Sequence, residues 1–458
     1  MRLLIPLVTG ALLLSAAVPA GATPAGTGTP DCFDRRAPVT YEEGRLDTPA
    51  LPGGVQVPSY LIEAGGFAPY VRGLAAALCH ARTVATARVM LRGHGAALWR
   101  AAVARAQGRV AMGTIDRYDD RPLYWSRLTG TRDIRQWRPG FALSEADRAA
   151  LLRTYEYAAR GVTSTAFGRS GTRVLVSGFD PYQLNGEIRR SNPSGGAALQ
   201  LDGRVLDGRM LDGRGLDGRG LDGRGLDGRG LDGRGLGSGR DRVRVQAVML
   251  PVTWSGFDAG IVEDAFGPHL LARPGQADLI MTISQGGRGV MNIEQWAGAW
   301  RGGSPDNNNE GEAELIPPAP RWPQPDPGRE FIETTLPYPA MIGAGTGPWP
   351  VALNPTVCQW PAGTRPDGPF SCTDEGPAPG AQAQSGGGGN YLSNESMYRS
   401  NRLRLALGAT GVPGGHLHIS ALVYPADPTV VIDDAFAADR RATIEQTVAL
   451  VAAAGAAA

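Results

Sequence analysis

The sequence predicts an α/β protein, namely a three-layer α/β/α domain with a largely parallel mixed sheet, preceded by a mainly helical amino-terminal region. Two observations predict this fold class. Beyond residue 172, short apolar stretches that run into glycine turns alternate with amphipathic stretches of helical spacing, which is typical of parallel βαβ units. Before residue 165, alanine and leucine recur at helical spacing with arginine on the expected solvent face.

The α/β domain is predicted to span residues 172–455, and its elements follow from the periodicity of apolar residues. A run of four to eight apolar residues predicts a buried strand, whereas apolar residues three and four apart predict a helix. We expect strands at 173–178, 243–250, 278–284 and 416–424, and helices at 259–271, 396–407 and 433–453.

Two insertions interrupt this domain. Residues 201–239 carry a Leu-Asp-Gly-Arg repeat with a period of five residues. This unit is too short to pack as a solenoid repeat, so we expect a solvated loop; a calcium-binding coil is the weaker alternative, because its repeats are nine residues long. Residues 344–389 are rich in proline and glycine and carry two cysteines, which predicts a loop held by a disulfide.

The amino-terminal part is expected to contain three segments. Residues 1–22 have the charged start, short apolar run and small-residue exit of a secretory signal peptide, and the run is too short for a membrane span. Residues 23–55 predict an extended linker, and residues 56–165 predict helices. We therefore expect a secreted or cell-surface protein whose mature form has no membrane span.

The four cysteines are expected to form disulfides, because an exported protein folds under oxidising conditions. Three pairings are possible. We favour Cys32 with Cys79 and Cys358 with Cys372, since each pair falls within one region of the sequence. A catalytic thiol is the weaker alternative, because none of the four lies beside the histidines of the carboxy-terminal half.

Composition limits the classes of partner. The 458 residues include 45 basic and 44 acidic ones, so the formal net charge is +1 and no nucleic-acid partner is implied. The histidines at 80 and 94 have no second ligand at a metal-binding spacing, so we predict neither a metal site nor a cofactor. Nothing in the sequence indicates an oligomeric state.

Three residues supply the chemical types that a nucleophilic hydrolase needs. Ser400 offers a hydroxyl, His418 an imidazole and Glu294 a carboxylate. In such a triad the imidazole removes the proton of the nucleophile, and the carboxylate fixes the tautomer of the imidazole. The sequence therefore predicts Ser400, His418 and Glu294 as catalytic residues.

Five segments, in order, resemble the pyroglutamyl peptidase I family. They are Val174-Leu-Val-Ser-Gly-Phe-Asp-Pro-Tyr182 with Asn192-Pro-Ser194; Gly286-Gly-Arg288 with Ile293-Glu294 and Pro305-Asp-Asn307; Thr334-Thr-Leu-Pro337; Ser393-Asn394 with Tyr398-Arg-Ser400-Asn401; and the strand that carries His418. The resemblance covers residues 172–455 apart from the two insertions.

The resemblance implies a peptidase that removes an amino-terminal pyroglutamyl residue, so the expected partner is a peptide or small-amide substrate. It implies that Glu294 and His418 are catalytic, that Phe179 and Tyr182 wall a pocket for the lactam ring, and that Asn192 and Gln285 contribute to substrate binding. A flat, neutral ring suits apolar walls with a few amide hydrogen bonds.

The sequence also departs from the family pattern. Ser400 replaces the nucleophilic cysteine, Gln285 stands one position closer to Gly286-Gly-Arg288 than the family's glutamine, and Gly303, with Arg301 nearby, stands where the family has an arginine. These departures keep three functions open: an exported hydrolase, an inactive relative that binds pyroglutamyl or similar small amide groups, and a scaffold whose working parts are the repeats and the helical region.

Overall fold

The computed structural model describes residues 32–168, 170–207, 242–325 and 327–458. The predicted signal peptide and most of the repeat insertion lie outside these residues. Within the described parts of the chain, none of the helices combines the length and the apolar character that a bilayer crossing requires.

The amino-terminal region is mainly helical, as predicted for residues 56–165, but the short helix Tyr41–Gly44 and the 3-10 turn Arg45–Asp47 lie within residues 23–55, where an extended linker was predicted. Its helices are α1 (Tyr41–Gly44), α2 (Val57–Ala64), α3 (Ala68–His80), α4 (Val84–Ala106), α5 (Arg121–Gln136) and α6 (Glu145–Ala159). Side chains of Thr40, Thr83 and Ser144 cap α1, α4 and α6 by accepting a hydrogen bond from the third helical N–H group, which otherwise has no partner. The Cys32–Cys79 disulfide joins the segment that precedes α1 to the end of α3.

Strands and helices alternate after residue 171. The strands are β1 (Thr172–Phe179), β2 (Val205–Asp207), β3 (Arg242–Leu250), β4 (Leu279–Gln285), β5 (Met291–Glu294), β6 (Trp296–Gly298), β7 (Trp300–Gly302), β8 (Ala313–Leu315), β9 (Phe331–Glu333), β10 (Val351–Asn354), β11 (Val357–Trp360), β12 (Ser371–Thr373), β13 (Gln382–Ser385) and β14 (Gly414–Ile419). The helices are α7 (Pro193–Leu201), α8 (Trp254–Asp258), α9 (Ile261–Phe266), α10 (Tyr338–Gly343), α11 (Leu392–Ala406) and α12 (Asp434–Ala456).

Seven of these strands form the central sheet, in the order β10-β5-β14-β4-β1-β3-β2. The inner strands β14, β4, β1 and β3 are parallel. β5 runs antiparallel to β14, β10 is parallel to β5, and β2 is antiparallel to β3. The predicted α/β class with a largely parallel mixed sheet is confirmed.

Alternating side chains of β1 show why the domain has three layers. Val174 and Val176 face a core that includes Leu450 of α12, whereas Leu175 faces a separate core that includes Leu403 of α11. Successive strand residues point to opposite faces of a sheet, and both faces of β1 are apolar, so each face requires a helical layer. Helices α7, α10 and α12 cover one face, and α9 and α11 cover the other.

Three elements differ from their predicted bounds by four residues or more at one end. α11 begins at Leu392 instead of 396, and β14 ends at Ile419 instead of 424, where its neighbour β4 also ends and offers no further pairing. The helix predicted at 259–271 is shortened to α9, followed by a 3-10 turn at Gly267–His269, because the ring and missing N–H group of Pro268 do not suit a helix interior.

The insertion at 344–389 is more ordered than predicted. It supplies the edge strand β10 of the central sheet and a small antiparallel sheet with the order β12-β11-β13. The Cys358–Cys372 disulfide joins directly paired residues of β11 and β12. Both favoured disulfides are therefore confirmed, and two disulfides fit a protein of an oxidising compartment.

Buried polar contacts attach the helical region to the α/β domain. The carboxylate of Asp180, just after β1, accepts hydrogen bonds from Arg127 at 2.6 Å and from Arg160 at 2.7 Å. Glu42 of α1 accepts hydrogen bonds from the hydroxyl of Tyr124 and from the side-chain amide of Asn307. Burial, with a smaller contribution from the charge of Asp180, raises the pKa of Glu42 from 4.5 to about 7.

The raised pKa of Glu42 predicts a pH-dependent free energy of unfolding. Because the folded state favours the neutral carboxyl, the stability that Glu42 contributes is full below pH 4.5 and is lost as the pH rises through about 7. At about 1.4 kcal/mol per pKa unit, this loss is on the order of 3 kcal/mol. We expect Glu42→Gln, which can still accept both hydrogen bonds, to be more stable than the wild type at pH 8 in urea denaturation.

Glu43→Gln is the matched control, since the carboxylate of Glu43 pairs with Arg135. This control is expected to lose stability at both pH 5 and pH 8. An unfolding free energy of Glu42→Gln that falls between pH 5 and pH 8 as steeply as that of the wild type would contradict the assignment.

Candidate functional site

A cavity of about 360 Å³ lies at the carboxyl ends of the central strands. Its lining includes Phe179 at the end of β1, Gln285 at the end of β4 and His418 near the end of β14, together with Glu294 of the antiparallel strand β5 and Ser393 in the first turn of α11. In open α/β sheets, ligands bind at this edge because the loops that follow parallel strands converge there. The sheet therefore positions this cavity as the candidate active site.

His418 and Glu294 form a hydrogen-bonded pair in this cavity. The ring atom Nδ1 of His418 lies 2.7 Å from Oε1 of Glu294, across the antiparallel seam between β14 and β5. The other oxygen of Glu294 accepts a hydrogen bond from the amide of Asn354 at 2.8 Å. A carboxylate accepts hydrogen bonds, so Nδ1 carries the proton and Nε2 is left with the lone pair that a general base needs.

A glycine turn, Gly386–Gly389, packs directly against this pair. A methyl group placed on Gly387 would lie 2.2 Å from Oε2 of Glu294, and one on Gly388 would lie 3.2 Å from Cε1 of His418. The first distance is shorter than any van der Waals contact allows. Glycine at 387 is therefore required for the close approach of the turn to the carboxylate.

Ser400, the predicted nucleophile, does not reach the pair. It is buried in the interior of α11, where its hydroxyl donates a hydrogen bond to the carbonyl of Met397 at 3.1 Å, and it is not part of the cavity lining. At a rise of about 1.5 Å per residue, Ser400 lies about 10 Å further along the helix than Ser393. The structure thus brings His418 and Glu294 together and leaves Ser400 out, which argues against the predicted role of Ser400.

Ser393 is a hydroxyl-bearing residue of the cavity that the sequence analysis named only within the Ser393-Asn394 segment and did not predict as a site residue. It lines the cavity, is half-buried, and donates a hydrogen bond to the carbonyl of Gly388 at 3.3 Å. A methyl group on Gly388 would lie 3.2 Å from Cε1 of His418, so the hydroxyl and the imidazole both lie near this residue. The signal that could have identified Ser393 is its place shortly after the glycine stretch 386–389 and in the first turn of a helix.

The first turn of α11 also gives this end of the cavity a positive potential. The first N–H groups of a helix have no intrahelical acceptor, and the helix dipole adds to their partial charge. Tyr391, the N-cap residue, supplies no side-chain cap. The arrangement can therefore stabilise negative charge that develops on a ligand near Ser393.

All four predicted substrate-binding residues line the cavity. Phe179 stacks on Phe257 with ring centroids 6.1 Å apart, and Gln285 donates a hydrogen bond to the hydroxyl of Tyr182 at 3.1 Å. Asn192 donates a hydrogen bond to the carbonyl of Asp180 at 2.9 Å, which holds its amide at the wall. Among the described residues that line the cavity, Glu294 is the only carboxylate and His418 the only imidazole, and the other side chains are neutral.

His416 lies beneath His418 on the same face of β14, with ring centroids 4.6 Å apart. Its Nδ1 lies 2.7 Å from the hydroxyl of Thr282, and its Nε2 lies 2.8 Å from that of Ser284. Burial lowers the pKa of His416 well below its ordinary value, and the nearby His418 adds to this effect. His416 is therefore neutral, and both of its nitrogens are occupied.

Arg301, which lies near the position of the family's arginine, is also away from the cavity. Its guanidinium is fully buried and donates to both oxygens of Glu395, at 2.7 and 3.0 Å, and to Asp258. Arg399 joins the same network through Glu395. These ion pairs hold α11 in place. The guanidinium of Arg301 is bound to carboxylates and is not directed at the cavity.

The contacts of His416 predict a stability cost for Thr282→Val. This near-isosteric change removes the hydroxyl that partners Nδ1 and leaves a buried polar atom unsatisfied, which costs about 1–3 kcal/mol. Thr172→Val, at the half-buried start of β1, is the control and is expected to change the unfolding free energy by less than about 0.5 kcal/mol. Equal effects of the two changes in urea denaturation would contradict the assigned contact.

Comparisons with known proteins place the chain in a family. A model described as the PA0049 N-terminal domain matches residues 22–156, and one described as the PA0049 C-terminal domain matches residues 224–324 and 350–423. The uncharacterized protein PA0049 of Pseudomonas aeruginosa is 31% identical over an alignment of 558 positions, which covers 98% of this chain and 95% of that protein.

Two crystal structures of Bacillus amyloliquefaciens pyroglutamyl peptidase I are also similar to this chain. They are 18% and 17% identical, have TM-scores of 0.36 and 0.34, and cover 63% and 61% of this chain and 98% and 95% of their own chains. From the match to PA0049 along nearly its full length, we conclude that the chain belongs to the PA0049 family.

Proposed function

We propose that this protein is an exported hydrolase that cleaves the amide bond after an amino-terminal pyroglutamyl residue, with Ser393 as nucleophile, His418 as general base and Glu294 as the group that orients His418. The observation that carries the proposal is the hydrogen-bonded His418–Glu294 pair facing a small cavity that also contains the Ser393 hydroxyl. A buried carboxylate beside an imidazole, with a hydroxyl in the same cavity, suits acyl transfer.

The proposed reaction follows from the atoms present. Ser393 Oγ gives its proton to His418 Nε2 and attacks the carbonyl carbon, while Glu294 stabilises the resulting imidazolium. The N–H groups at the start of α11 stabilise the negative oxygen of the tetrahedral intermediate. His418 then passes the proton to the amine nitrogen as the C–N bond breaks, and a water molecule deprotonated by His418 hydrolyses the acyl-enzyme and restores Ser393.

The wall of the cavity supports a small, neutral substrate group. Phe179 and Tyr182 offer aromatic faces, whereas Asn192 and Gln285 offer amides that can bind the N–H and C=O groups of a lactam. A volume of about 360 Å³ is at the lower end of the range for ligand pockets, which suits one ring and the adjoining amide. The sequence segments that resemble pyroglutamyl peptidase I imply the same kind of substrate group, a pyroglutamyl ring.

A binding function without turnover is the second candidate. The observation in its favour is that the Ser393 hydroxyl donates its hydrogen bond to Gly388 instead of to the imidazole. A serine hydroxyl is much less acidic than a thiol and depends on a close alignment with its base. A protein of this kind would bind a cyclised amino terminus and leave it intact.

Hydrolysis of a pyroglutamyl chromogenic amide tests the proposal. We expect the wild type to release the chromophore, and Ser393→Ala, His418→Ala and Glu294→Gln each to lower kcat on the order of 10⁴-fold, the size seen when a triad member is removed. Ser400→Ala, in the same helix but away from the cavity, is the matched control and is expected to keep its activity. Loss of activity in Ser400→Ala with retention in Ser393→Ala would reverse the assignment of the nucleophile.

A thiol at either position separates hydrolysis from binding. Ser393→Cys is expected to give turnover that thiol reagents block, because a cysteine beside an imidazole forms a thiolate near neutral pH. Ser400→Cys is expected to show no such sensitivity. Thermal stabilisation of the wild type by pyroglutamate, without turnover in the wild type or in Ser393→Cys, would favour the binding function.

A further inference from the structure

We propose that the amino-terminal helical region is a positioning element of the cavity, in which Asp120, Arg127 and Glu42 fix the wall segment at residues 180–192. This inference rests on the proposed function only for its kinetic readout. The wall segment is defined by three cavity residues, namely Phe179 directly before it, Tyr182 within it and Asn192 at its end.

Asp120 holds the end of the wall segment. It is the N-cap residue of α5 and is 2% exposed, and its Oδ2 accepts a hydrogen bond from the backbone N–H of Asn192 at 3.0 Å. Its other oxygen accepts a hydrogen bond from the hydroxyl of Ser191. Because the Asn192 side chain donates to Asp180 and lines the cavity, the carboxylate of Asp120 sets the place of that amide in the wall.

Arg127 holds the start of the segment. Its guanidinium donates to the buried carboxylate of Asp180, which directly follows Phe179, and Arg160 at the end of α6 donates to the same oxygen. The backbone N–H of Asp180 is bound to the carbonyl of Leu250. Charge-assisted hydrogen bonds between buried groups are short and directional, so they fix both the position and the orientation of this residue.

Glu42 acts on the middle of the segment through Asn307. The side-chain amide of Asn307 donates to Oε1 of Glu42 and to the carbonyl of Pro181, each at 2.9 Å. Pro181 directly precedes Tyr182. The helical region thus holds the wall next to each of the three cavity residues. Asp120 binds the backbone of Asn192 directly, Arg127 binds the residue after Phe179, and Glu42 acts through Asn307 on the residue before Tyr182.

We expect a loosened wall segment to weaken substrate binding more than it slows the chemical step. The helical region contacts the wall that would bind the ring, whereas Ser393, His418 and Glu294 belong to α11, β14 and β5. Interactions that hold the substrate equally in the ground state and the transition state change KM and leave kcat nearly unchanged. Loosening the wall segment should therefore raise KM.

Asp120→Ala and Asp120→Asn test this role, with Asp133→Asn as the control. Asp133 is a buried aspartate of the same helix whose ion-pair partner is Arg35 and which does not line the cavity. In hydrogen exchange of the full-length protein, we expect amides of residues 180–192 to exchange about tenfold faster or more in Asp120→Ala, the size expected for a lost hydrogen bond to a charged group. We expect a smaller rise in Asp120→Asn, which keeps one acceptor, and no rise in this segment in Asp133→Asn.

The kinetic readout is a split between KM and kcat for the chromogenic substrate. Asp120→Ala is expected to raise KM about tenfold with kcat within about threefold, and Asp120→Asn is expected to restore part of the loss. If Asp120→Ala does not fold, Ser191→Ala takes its place, since it removes one of the two hydrogen bonds to Asp120. Unchanged exchange of residues 180–192 in these variants, or a rise spread evenly over the protein, would overturn the proposal. Absence of turnover in the wild type would count against the proposed function only, because the exchange measurement decides this inference without it.

Discussion

The candidate site depends on one hydrogen bond, between Nδ1 of His418 and Glu294. Glu294 is 1% exposed, and a buried carboxylate requires hydrogen-bond partners that replace water. His418 and Asn354 are these partners, one on each neighbouring strand of β5. The hydrogen bond that satisfies the carboxylate also fixes the imidazole, whose free nitrogen is then available to the cavity. One contact therefore contributes both to the stability of the sheet and to the orientation of the base.

The register of three strands explains why His418, and not His416, binds the carboxylate. His416 stands directly opposite Glu294 in the antiparallel pair, and His418 is its diagonal neighbour. On its other side, however, His416 pairs with Thr282 of β4, and the hydroxyls of Thr282 and Ser284 occupy both of its ring nitrogens. Glu294 is thereby left to His418. The two hydroxyl groups of β4 therefore contribute to the pairing of Glu294 with His418 instead of with His416.

The accuracy of the sequence analysis follows the strength of the local signals. β1 and β4 were predicted because strands buried on both faces are largely apolar runs, and β3 because its apolar residues alternate before they become continuous. β5 and β10 were not, since four residues with mixed polarity carry little periodicity. The choice of Ser400 as candidate nucleophile has a similar origin. Tyr391 gives α11 no capping side chain and so no start signal, the helix was placed four residues late, and Ser393 in its first turn was not considered for this role.

Contacts between residues that are distant in sequence produce no local pattern from which they could be predicted. The contacts of Asp120 with Asn192 and of Arg127 with Asp180 join positions that only the folded chain brings together, and no periodicity encodes them. Their energetics argue that the two regions stay joined. Separation would leave the buried carboxylate of Asp180 without both of its guanidinium partners, and breaking a buried pair in this way costs about 3–5 kcal/mol. A helical region held by such contacts cannot leave the wall of the cavity without unfavourably exposing or orphaning charge, so the cavity as it stands is a product of both regions.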